Sequence, residues 1–163
     1  MCRLELKVVK VERPEGVNVV IGQAHFIKTV EDLYEALVSS CPSIKFGLAF
    51  CESSGPCLVR VEGNDEELKG AAAKAALDIG AGHVFVIMMR DAYPINVLNA
   101  VKAVQEVCTV FCASANPLEV VIAETSQGRG VLGVIDGLRP KGVEGDKEVA
   151  ERKEFLRKIG YKR

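Results

Sequence analysis

The chain has no tryptophan, few aromatics and only two histidines, His25 and His83. With aromatics at 6% of 163 residues, the core must be built from Val, Ile, Leu and Ala. A stacking surface for nucleic-acid bases needs exposed rings, which this chain can barely supply. No apolar run nears the ~20 residues of a membrane-crossing helix. The charged, alternating start from Arg3 onward does not read as a secretory leader. Net charge is only −1, which argues against a general nucleic-acid binder. Cysteine is plentiful, at Cys2, Cys41, Cys51, Cys57, Cys108 and Cys112, mostly inside or beside apolar runs. Free cysteine there behaves as a small hydrophobe. These features predict a cytoplasmic protein with reduced thiols and neither a nucleic-acid nor a membrane partner.

The charge is unevenly spread. Arg139 to Arg163 carries nine basic and five acidic residues, a net of +4, while the rest carries a net of −5. Without aromatics beside it, the basic tail reads as a solvated helix face.

The length suits one domain spanning 1–163. Near-alternating Leu4, Leu6, Val8 and Val11 predict a first strand, and Pro14-Glu15-Gly16 a turn into a second over 18–23, forming a hairpin. Thr29 is placed to cap a helix that Pro42 stops. A strand over 44–51, a polar loop and a short strand over 58–61 follow. Asn64 then caps a helix whose inner face is Leu68, Ala71, Ala72, Ala75, Ala76 and Ile79, and Gly80 ends it. The continuous apolar run Val84 to Met89 predicts a central strand covered on both faces. Pro94 opens a third helix. Strands over 109–113, 119–123 and 131–135 precede a charged helix with Val149, Leu156 and Ile159 as its seam. The alternation predicts an α/β fold with a mixed rather than fully parallel sheet.

Gly128-Arg129-Gly130-Val131-Leu132-Gly133 matches G-x-G-x-x-G, but β-rich sequence follows where a dinucleotide site needs a helix. A tight hairpin is the better reading. Cys108 and Cys112, four apart, read as two buried thiols on one strand face; no metal site is assigned. His83 follows a glycine turn at the start of the central strand. It is a general base, a phosphoryl acceptor or a hydrogen-bonded core residue. His25 reads as a surface loop residue. At the other end of that strand, Asp91 can accept from ribose hydroxyls, Tyr93 can stack on a base, and Asn96 can read a base edge at the helix start. Asn116 lies in a second polar turn, and Arg129 in a third, where its fork suits an oxyanion pair. Each also has a plain reading as a turn, cap or surface residue.

Several segments together resemble the adenosine-specific kinase family. They are Phe26-Ile27-Lys28-Thr29-Val30-Glu31-Asp32-Leu33, Ile44-Lys45-Phe46-Gly47, Gly63-Asn64-Asp65 and Ile79 to Ile87. Pro94-Ile95-Asn96-Val97-Leu98-Asn99, Ala123-Glu124-Thr125, Gly128-Arg129, Leu132 to Gly137 and Ile159-Gly160-Tyr161-Lys162 continue the match in order. The resemblance implies a three-layer α/β/α domain that binds adenosine or AMP. It implies a histidine that carries a phosphoryl group, best placed at His83, with His25 as the fallback. It also implies a homo-oligomer, with a trimer as the expected form. The cofactor stays open, with ATP as candidate phosphoryl donor and Mg as its candidate companion. A non-catalytic adenosine or AMP sensor and an assembly protein with a vestigial pocket remain the rival functions. The enzymatic reading expects His83 and the Tyr93–Asn96 turn to face one shared purine cavity.

Overall fold

The computed structural model describes residues 3–163, so Cys2 lies outside the described residues. In chain order the elements are β1 (Glu5–Lys10), β2 (Asn18–Ala24), α1 (Thr29–Ser40), β3 (Lys45–Cys51), β4 (Val59–Gly63) and α2 (Glu66–Ile79). They continue with β5 (Val84–Arg90), α3 (Pro94–Ala103), β6 (Val107–Ser114), β7 (Leu118–Glu124), β8 (Arg129–Asp136) and α4 (Asp146–Lys158).

Five strands form one sheet in the order β4-β3-β5-β2-β6, and three form a second in the order β1-β7-β8. The fold is α/β and layered. One face of the larger sheet, through Val20, Leu48, Phe50, Phe85, Ile87 and Met89, packs on α1 and α3. The other face, through Val19, Ile21, Ala49, Val84, Val86 and Met88, packs on α2 and on Leu118, Val120 and Ile122 of the smaller sheet. Period-two alternation therefore sorts β2, β3 and β5 into two cores. Burying a side chain such as Phe46, Phe50 or Phe85 is worth about 1.5–3 kcal/mol each.

The mixed sheet is corrected in one respect, because every pairing between described strands is antiparallel. The helical crossovers do join parallel strands: β2 to β3 through α1, β4 to β5 through α2, and β5 to β6 through α3. In each case another strand lies between the two. Alternating β and α elements predict the crossovers but not what is inserted between their strands.

The early hairpin is also absent. β1 pairs with β7 in the smaller sheet, whereas β2 lies between β5 and β6 in the larger. Local turn chemistry suggested the pairing, and long-range burial overrode it. At the start of α1, Thr29 does not cap by its side chain; its buried hydroxyl donates to the carbonyl of Phe26. Asp65 rather than Asn64 caps α2, accepting from Leu68 N at 3.0 Å. Asn64 instead ties the edge of the sheet, accepting from Phe46 N at 2.9 Å and donating to Ile44 O at 2.8 Å. Cys112 is half-buried but Cys108 is exposed, since a bulge between Ile21 and Gly22 breaks the register that would set both on one face. α4 keeps its expected position but buries no residue.

α2 lies very close to the sheet because its inner face is small. A Cβ built on Gly47 would fall 2.1 Å from the backbone carbon of Leu68, so helix backbone rests directly on strand backbone. Gly47→Ala should lower the free energy of unfolding by about 1–3 kcal/mol through overpacking. Urea denaturation measures it, and an unchanged midpoint would place α2 farther from β3.

Candidate active site

β5 is buried along almost its whole length, so polar chemistry can gather only at its two ends. Six residue steps separate Val84 from Arg90, about 20 Å at roughly 3.4 Å per step. His83 stands before the first, and Asp91, Tyr93 and Asn96 lie beyond the second.

At the histidine end, Gly80 closes α2 in the left-handed conformation, with φ +61°. His83 itself takes φ +62°, an uncommon state for a residue with a side chain. Its backbone is fixed on both sides: His83 N donates to Cys51 O at 2.8 Å, and His83 O accepts from Ala24 N at 2.9 Å. The second bond brings the end of β2, and so His25, beside it. The half-buried His83 ring stacks on Phe50 with centroids 5.7 Å apart, and His25 meets it edge-on at 6.5 Å. The sequence reading missed this pairing. His25 is exposed, as expected, but it is also the ring that covers His83.

Two grooves share Phe26 and Lys28; His25 lines the smaller, and His83 lines neither. One, about 450 Å³, is lined by His25, Gln105 and Glu106 besides those two. The other, about 770 Å³, runs between α1 and β4 past Val30, Arg60 and Glu62. Lys28 Nζ lies 2.7 Å from Asp32 Oδ2 and 3.0 Å from Glu106 Oε1. Asp32 first, then Glu106, holds the Lys28 ammonium above its ordinary range, while Lys28 holds the Asp32 carboxyl below its own. The Glu106 contact is an ion pair out of hydrogen-bond alignment, so both buried oxygens of that carboxylate lack a hydrogen-bond partner. The Lys28/Asp32 spacing of i, i+4 was visible in the sequence; nothing there marked Glu106.

Arg129 stands at this end too, on the α2 side. It pairs with Glu124 and donates to Asp78 O at 3.1 Å and Ile79 O at 3.4 Å, covering the negative C-terminus of α2. With Cys51, Cys57 and Gly82 it lines a cleft of about 370 Å³.

The opposite end collects the other four. Asp91 takes φ +56° and is exposed, as is Tyr93. Asn96 Oδ1 accepts from Tyr93 N at 2.8 Å, so part of its amide is engaged in starting α3. Asn116 donates to Asp136 Oδ1 at 3.2 Å, and Ser114 donates to the same oxygen at 2.6 Å. Asn18 Nδ2 donates to Ala92 O at 3.2 Å and ties the start of β2 to the β5–α3 loop. Within one chain the shared cavity is therefore corrected: His83 and Arg129 lie at one end of β5, and Asp91, Tyr93, Asn96 and Asn116 at the other, with hydrophobic core between. Gly128 to Gly133 lies in the β7–β8 hairpin, closed by Thr125 N to Gly128 O at 2.9 Å, with no helix after it. Among the described residues, no three His, Cys, Asp or Glu side chains converge on a metal-sized point.

Chemically, the histidine end offers a nucleophilic ring held by stacking, a second imidazole at its edge to hold or release a proton, and a cationic side chain in the adjoining grooves. Comparison with known proteins places the chain in a family. The family model described as Adenosine specific kinase matches residues 9–162. No curated protein matches the chain. The crystal structure of the PH1918 protein from Pyrococcus horikoshii OT3 superposes with a TM-score of 0.95 at 51% identity, covering 99% of each chain.

Two thiols in the 370 Å³ cleft should behave differently. Burial pushes the Cys51 thiol up to about 11, whereas Cys57 is exposed. At pH 8 the thiolate is the reacting form. Iodoacetamide should label Cys57 within minutes and leave Cys51 unlabelled until the protein is denatured, as read by peptide mass spectrometry. Equal labelling of both would contradict the burial.

Proposed function

The chain belongs to the adenosine-specific kinase family, and we propose that it binds adenosine or AMP and passes a phosphoryl group through His83. The observation that carries this is the His83 ring, held in a left-handed backbone, stacked on Phe50 and edged by His25. Non-glycine residues in such backbone states concentrate at functional sites.

In this reading ATP is the donor, with Mg accompanying its phosphates. A lone pair on the His83 ring forms the N–P bond as the P–O bond to the departing ADP breaks. A ribose hydroxyl of adenosine then attacks phosphorus, its proton passes to His25, and the N–P pair returns to the imidazole. Lys28, in the groove that His25 lines, offsets part of the phosphoryl charge, while Arg129 stays with Glu124 and the end of α2.

Asp91, Tyr93, Asn96 and Asn116 are proposed as purine and ribose contacts supplied by a neighbouring copy. One chain cannot bring them to His83, but a head-to-tail contact can, and such contacts close into rings when the rotation between copies closes. The proposed assembly is therefore a homo-oligomer, a trimer in its simplest form. One observation favours the rival sensor without turnover: the glycine run from Gly128 to Gly133 forms a hairpin rather than a phosphate-holding helix start.

Incubation with ATP labelled at the γ-phosphate should leave acid-labile, base-stable label on the protein. In His83→Asn, which tolerates the left-handed backbone, the label should fall to background. His25→Ala should still take label, but turnover should drop about 10²–10⁴-fold if His25 handles the proton. Full labelling of His83→Asn removes His83 from the role. Calorimetric binding of AMP with no label and no product would leave the sensor.

A further inference from the structure

Of the four buried polar residues among those described, Glu106 alone carries a charge, and it is 6% exposed. Both its carboxylate oxygens are closed to solvent and lack a hydrogen-bond partner. Its compensation is the Lys28 ammonium, 3.0 Å from Oε1. A sealed ion pair of this kind is no more stabilising than a packed apolar pair of similar volume, so stability alone does not account for it. The same ammonium lies 2.7 Å from Asp32 Oδ2. Two carboxylates therefore surround one point, and one flexible cation holds it. Two carboxylates against one ammonium leave a negative charge uncompensated.

That point adjoins the histidine pair. His25 N donates to Glu106 O at 2.8 Å, and both residues line the 450 Å³ groove. Lys28 lines this groove and the larger one, so it stands where the two meet. Its side chain is 44% exposed and free to swing outward, whereas Glu106 is held just before β6.

We propose that Asp32 and Glu106 hold a divalent cation of the magnesium class when a nucleoside triphosphate is bound, and that Lys28 keeps their place until then. The proposal rests on the phosphoryl-transfer reading above and adds the residues that carry its metal. Hard carboxylate oxygens suit Mg²⁺. That ion is usually held by one or two carboxylates together with substrate phosphates and waters, rather than by a cage of protein ligands. A pair of carboxylates with no third acidic, cysteine or histidine ligand among the described residues fits this mode and not a permanently bound metal. Lys28, released from Glu106, then turns its ammonium to the phosphates in the groove.

Mn²⁺ is the probe, and its binding to the intact chain is read by electron paramagnetic resonance. Lys28→Met removes the competing ammonium and should bind Mn²⁺ alone at least tenfold more tightly than wild type. Adding Glu106→Gln should return that affinity to the wild-type level or below. In wild type, Mn²⁺ with the non-hydrolysable β,γ-methylene analogue of ATP should broaden the His25 ring signals in NMR, and Glu106→Gln should abolish the broadening. Circular dichroism checks that each variant keeps its fold. Asp32→Asn, at a partly exposed position, repeats the test should Glu106→Gln not fold. No gain in Lys28→Met, or a gain that survives Glu106→Gln, overturns the cation site. Absent broadening in wild type, or broadening unchanged by Glu106→Gln, overturns its occupation with nucleotide. The arm with Mn²⁺ alone needs no nucleotide, so a site found there with no phosphate label on His83 refutes the phosphoryl transfer and leaves the cation site standing.

Discussion

The structure depends on one constraint: β5 is a strand with no free face. Val84 to Met89 are fully or almost fully buried, with α1 and α3 on one side and α2 and the smaller sheet on the other. A polar side chain placed within it would lose its water without finding a partner. Chemistry is therefore expelled to the two ends of the strand. The chain places residues in left-handed backbone at both, His83 before it and Asp91 after it. The interior that stabilises the domain is the same interior that separates these two sets of polar groups.

That separation is what gives the proposed assembly a functional meaning. An isolated copy has a ring pair with grooves beside it, and at the far end a loop of aromatic and amide groups facing solvent. A head-to-tail neighbour would bring one set to the other.

Much of this was legible in the sequence, and the parts that were not share a cause. The inner face of α2, the Pro94 start of α3 and the buried character of β5 all follow from local periodicity and cap chemistry, and they stand as read. The β1–β2 hairpin failed because a turn motif reports only on nearby residues, while β1 is held by β7 at the far end of the chain. The insertion of a strand inside each crossover is likewise long-range information. At the site, His83 was visible from its glycine turn. Its partner His25 was not, because Ala24 N to His83 O is what brings the two rings together. Glu106 gave no signal at all: a lone glutamate near a helix end reads as surface, and only the fold buries it beside Lys28.

The central claim is that His25 and His83 line one site that admits a purine nucleotide. Histidine-selective NMR during titration with AMP tests it most directly. The account predicts that the ring signals of both histidines move together along one saturation curve. Saturable AMP binding with both sets of ring signals unmoved would contradict it.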